Sequence, residues 1–108
     1  HYIADTGVVD ELLLEGLPLG SFKGETYSLV NMKCNVGDVF VFLSDGLPEV
    51  ENKSGEMLGY KAVLECIKNN GHLSSEEIKQ SLLDLGDAWL DGLHNQDDIT
   101  IVVIKKLK

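Results

Sequence analysis

Val39-Phe40-Val41-Phe42-Leu43, running straight into Ser44-Asp45-Gly46, is the stretch on which the fold turns. It is apolar at every position of its first five and rich in β-branched and aromatic types. Such a run predicts a strand buried on both faces rather than one that alternates between core and solvent. Asn35-Val36-Gly37-Asp38 makes the turn that leads into it, and residues 27–32 read as another short strand before that turn. Earlier still, residues 8–14 are mainly apolar. They end at Gly16-Leu17-Pro18-Leu19-Gly20, which punctuates the chain as a loop.

Downstream of the strand, residues 45–59 carry Gly46, Pro48, Asn52, Ser54, Gly55 and Gly59 and read as a loop of the length that usually carries function. Helical spacing follows. Tyr60, Val63, Leu64 and Ile67 share one face at i, i+3, i+4 and i+7. Asn69-Asn70-Gly71 then predicts a left-handed stop. Ser74 opens a second helix, with Glu77 three residues on completing a capping box, and Ile78, Leu82, Leu85 and Trp89 form its apolar stripe. Residues 91–98 are a polar turn, and residues 99–104 a last strand. Strands, two helices and a strand make an α+β domain. Strands without alternation call for cover on both sides, by helices and by a second sheet.

The whole chain of 108 residues fits one domain. Eighteen acidic against nine basic residues give a net charge of −9. That excludes nucleic-acid binding as a leading function, because neutralising phosphates needs a basic face. No stretch approaches the roughly 18 apolar residues of a membrane span, so the chain reads as soluble. Cys34 and Cys66 lie far apart without CxxC spacing, and the simplest reading is two reduced, buried thiols in a cytoplasmic protein. There is no internal repeat or low-complexity run.

Two acidic positions stand out by placement. Asp45 ends the most apolar strand, and Asp97-Asp98-Ile99-Thr100 opens the other strongly apolar one. If those strands are antiparallel neighbours, both carboxylate sites meet at one edge of the sheet on rigid elements. Hard-cation sites are built that way, and oxygen-only ligands suit Mg²⁺ or Mn²⁺. Each motif alone reads more plainly: Asp-Gly is a common turn dipeptide, and Asp97 and Asp98 are ordinary loop residues beside a strand. His1, His72 and His94 lack zinc spacing. Ser44 is in no nucleophile elbow, and no glycine loop has dinucleotide or Walker spacing. Trp89 reads as core, and Glu49 and Glu51 as solvated.

Taken in order, Gly16-Leu17-Pro18-Leu19-Gly20, Gly37-Asp38, Ser44-Asp45-Gly46-Leu47-Pro48-Glu49, Asn52-Lys53-Ser54-Gly55-Glu56-Met57-Leu58-Gly59 and Asp97-Asp98-Ile99-Thr100-Ile101-Val102-Val103 resemble the C-terminal half of bacterial SpoIIE/RsbU-type phosphatases. These are metal-dependent, type-2C serine/threonine phosphatases. Each piece is weak; the ordered set spans nearly the whole chain.

The resemblance implies a β-sandwich flanked by helices, present here only in part, with two Mn²⁺ or Mg²⁺ ions at one end of it. It implies hydrolysis of phosphoserine or phosphothreonine by a metal-activated water, without a phosphoenzyme. Asp45 and Asp97 correspond to metal-binding aspartates, and Asp98 to a supporting position where many relatives have Asn. It also implies a phosphoprotein substrate, such as an anti-sigma factor antagonist, and a sensor domain upstream in the parent. The family's further metal-binding aspartates belong to its N-terminal half, and Asp5 and Asp10 lack the strand context to replace them. Residues 1–108 are therefore expected to be the C-terminal portion of the domain, inactive alone and prone to self-association through exposed strand edges. Two other readings remain beside this one: a non-catalytic phosphatase-like module that binds a phosphoprotein, and an unrelated α+β domain with ordinary turns.

Overall fold

The computed structural model describes all 108 residues. Its elements in chain order are β1 (Tyr2–Ile3), β2 (Val8–Val9), β3 (Val39–Leu43), α1 (Tyr60–Asn70), α2 (Ser75–Leu90) and β4 (Ile101–Lys105). The strands form one antiparallel sheet in the order β2-β1-β3-β4. The expected α+β class is what the chain adopts.

The apolar run at residues 39–43 forms β3, and it pairs with β4 in full register from Val39 opposite Lys105 to Leu43 opposite Ile101. Both helices lie on one face of this sheet. Tyr2, Val39, Leu47, Leu58, Val63, Ile67, Ile78 and Leu82 make the buried cluster between the layers. On α2 the stripe works as its spacing requires: Ile78 and Leu82 are fully buried, and Leu85 and Trp89 pack against them. The capping box is present, with Ser74 Oγ accepting from the Glu77 amide and the Glu77 carboxylate accepting from the Ser74 amide. Those bonds to Ser74 also hold the Glu77 carboxyl below its usual range.

Several expectations are corrected. β3 is covered on one face only. Phe42, Val102 and Ile104 project from the other face with about half their surface exposed, because the chain supplies a helix layer but no second sheet. Residues 27–32 form no strand, and of residues 8–14 only Val8–Val9 does. Extended backbone gains its hydrogen bonds from a neighbouring strand, and these residues have none beside them. Leu29 there is 80% exposed. Gly71 caps α1 in the right-handed region (φ −59°), not the left-handed one. Glycine is needed there for space, since a Cβ would collide with the Tyr2 ring. The last strand begins at Ile101, two residues later than expected. Cys34 and Cys66 are free but only half-buried; burial pushes the Cys66 thiol up, partly offset by the Asn70 amide beside it.

Candidate functional site

The pairing of β3 with β4 brings the two acidic motifs to one edge of the sheet. Past Leu43, the Ser44 amide donates to Thr100 O at 3.0 Å, and the Thr100 amide donates back to Ser44 Oγ at 3.0 Å. Ser44 Oγ also lies 3.5 Å from Asp98 O. Asp45 therefore leaves β3 where Asp97 and Asp98 enter β4. Gly46 makes this closeness possible, because a Cβ there would collide with the Asp98 carbonyl. The Asp-Gly dipeptide is thus more than a turn: the glycine is the point where the two motif backbones touch.

Behind this edge the loop is anchored. Leu47, Pro48 and Val50 are fully buried, and the Glu49 amide donates to Asp45 O at 3.0 Å. Asn52 Oδ1 accepts from the amides of Ser54 and Glu56, which shapes the next turn. Trp89 Nε1 donates to Glu56 O at 2.8 Å, tying that turn to α2. Lys53 pairs with Asp91 at 2.7 Å, and its ammonium holds the Asp91 carboxyl below the usual range. The Asp97 carboxylate accepts from the Asp98 amide at 2.8 Å. A cleft of about 300 Å³ opens beside Gly46 and Asp97, with Glu49, Glu51, Asn52 and His94 among its lining residues. Glu49 and Glu51 are exposed, as expected.

Donor chemistry and donor number point different ways. Exposed carboxylates on strand ends are the hard oxygen donors that Mg²⁺ or Mn²⁺ take. Yet nowhere in the chain do three His, Cys, Asp or Glu side chains gather closely enough to hold an ion. Two carboxylates, Asp45 and Asp97, are too few donors to enclose a cation by themselves.

One buried carboxylate is not legible as such in the sequence: Asp38 sits in a segment that reads as a plain turn, yet it is 1% exposed. It accepts from the amides of Ala4 (2.9 Å) and Asn35 (2.8 Å), and His1 Nε2 lies 3.4 Å away. Those amides hold its carboxyl below the usual range. His1 in turn stacks on Phe40 with ring centroids 4.3 Å apart. The available signal was the Asn35-x-x-Asp38 spacing, which lets an aspartate close its own turn and leaves one oxygen to bond elsewhere.

The model of the Stage II sporulation protein E (SpoIIE) family matches residues 1–107. The chain belongs to the SpoIIE family. It is therefore a phosphatase-family chain, as the ordered motifs imply. It is also similar to Protein IcfG of Synechocystis sp., at 24% identity over 101 residues. That similarity covers 91% of this SpoIIE-family chain but only 15% of the relative's length. No solved structure matches it.

Proposed function

We propose that residues 1–108 are the C-terminal portion of a metal-dependent serine/threonine protein phosphatase domain. In it Asp45 and Asp97 hold part of a centre for two Mn²⁺ or Mg²⁺ ions. The observation that carries this reading is the meeting of the two aspartate motifs at the β3–β4 edge, buttressed by Ser44 and Thr100, in a SpoIIE-family chain. Two such ions would acidify a water and neutralise phosphate charge. This chain's own part is to place carboxylates. β3 and the buried Leu47-Pro48 pair fix the Asp45 backbone, and the Asp98 amide orients the Asp97 carboxylate.

The substrate in this reading is a phosphoserine or phosphothreonine protein in bacterial signalling, with an anti-sigma factor antagonist as the kind the resemblance implies. A cytoplasmic location and a sensor domain upstream belong to the same proposal. A second reading, a phosphatase-like module that binds a phosphoprotein without hydrolysing it, draws on the absence of a third ligand near Asp45 and Asp97.

The test uses the parent chain with its upstream segment restored. Mn²⁺-dependent release of phosphate from a phosphoserine peptide should occur and should vanish in Asp97→Asn. No release from a folded parent would favour the binding module. The 108-residue chain alone should bind Mn²⁺ weakly in calorimetry and release little phosphate. Tight binding with full turnover would contradict the partial-site reading.

A further inference from the structure

β1 lies between β2 and β3, yet only Tyr2 opposite Val39 joins it to β3. Residues 40–43 are thus paired with β4 on one side and with no strand on the other. Hydrogen-bond parity shows which groups are left over. Ser44 donates to Thr100 O, and Lys106 donates to Asp38 O. In an antiparallel ladder the residues bonded to one neighbour recur at every second position. Phe40 and Phe42 therefore turn their amides and carbonyls toward β4. Val41 and Leu43 turn theirs toward the strand position that β1 leaves vacant.

The far wall of that position is present too. His1 and Asp10 exchange both backbone bonds, at 2.9 and 2.8 Å, so the chain after β2 runs on beyond the start of β1. A cleft of about 340 Å³ lies between residues 9–13 on one side and 40–43 on the other, with His1, Tyr60 and Val63 also lining it. The His1 ring already stacks on Phe40, its neighbour by register, with ring planes 1° apart.

We propose that this slot seats an extended polypeptide strand that runs antiparallel to β3 and leads directly into His1. β1 and the added strand then form one continuous strand. The occupant is the segment immediately before His1 in the parent, so the inference rests on the reading that this chain is part of a longer phosphatase domain. By register, the first residue before His1 opposes Val41 and the third opposes Leu43, each exchanging both backbone bonds. Val41 and Leu43 face the helix layer. Cross-strand partners share a face, so the first and third residues of the incoming strand are apolar. A second copy fits less well, because the slot is walled on both sides and blocked at one end by His1. Seating the strand braces β3 along its length up to Asp45, and it gives residues 11–13 the strand partner they lack.

Amide hydrogen exchange measured by NMR on the parent chain tests this without any need for activity, so it can fail or succeed independently of phosphate release. The Val41 and Leu43 amides should exchange within about tenfold of Phe40 and Phe42, as members of one cooperative unit. A nuclear Overhauser contact should join Val41 to the residue directly before His1. Rapid exchange at Val41 and Leu43 beside slow exchange at Phe40 and Phe42 would overturn the proposal. So would protection without that contact, which assigns the slot to another segment, or protection lost on dilution, which assigns it to a second copy.

Discussion

Residues 60–90 and residues 10–36 are both rich in large apolar side chains, and they meet opposite fates. In the first, Val63, Ile67, Ile78 and Leu82 are buried. In the second, Leu13, Leu19, Phe22 and Leu29 each expose about two-thirds of their surface or more. Apolar content does not separate them; the source of the partner does. A helix satisfies its backbone internally and needs only one face covered, which β3 and β4 provide within the chain. An extended segment needs a strand alongside before its side chains gain anything, and the 108 residues contain no such strand for it.

Truncating one leucine in each region sharpens the contrast most. Leu82→Ala should destabilise the fold by about 2–5 kcal/mol in chemical denaturation, the usual cost of a core cavity. Leu29→Ala should change it by less than about 0.5 kcal/mol, as at an exposed position. Equal losses would mean that residues 10–36 are packed after all.

Glycine substitutions set residues 10–36 against the β3–β4 edge at a smaller scale. Gly46→Ala forces a Cβ into the Asp98 carbonyl and should cost about 1–3 kcal/mol, the range for overpacking. It should also abolish Mn²⁺-dependent phosphate release by the parent. At Gly16 a Cβ would meet the Tyr27 ring at an ordinary 3.5 Å, so Gly16→Ala should leave both stability and release unchanged.

The sequence makes the first region legible because its signals are local. Ser74 and Glu77 announce the start of α2, the spacing of Ile78, Leu82, Leu85 and Trp89 declares its inner face, and the unbroken run at Val39–Leu43 declares β3. The juxtaposition of Asp45 with Asp97 was legible only as a condition on strand pairing, which β3 and β4 satisfy. The failures are non-local. Residues 27–32 have strand composition, but composition does not say whether a neighbouring strand exists. Gly71 looks like a left-handed cap until the Tyr2 ring, 69 positions away in sequence, is placed against it. Asp38 looks like a turn residue until Ala4 and His1 arrive from the other end of the chain.

Asp38 ties the end of the second region to the start of the chain, and pH probes that joint more gently. Its folded carboxyl lies below the ordinary value of about 3.9, so as pH falls the unfolded chain takes up the proton first. The stability it contributes is complete above the unfolded value and is lost as pH descends through the folded one. Acid titration followed by circular dichroism should show a shallower loss below about pH 4 in Asp38→Asn than in the unaltered chain. Identical acid slopes would show that the carboxylate contributes nothing there.

The central claim is that Asp45 and Asp97, delivered by two paired strands, serve one cation centre. Calorimetric titration of Mn²⁺ into the parent chain, Asp45→Asn, Asp97→Asn and the double variant tests it most directly. The account predicts weaker binding in each single variant and little further loss in the double, because the two carboxylates act on a shared centre. Unchanged Mn²⁺ affinity in both single variants would contradict it.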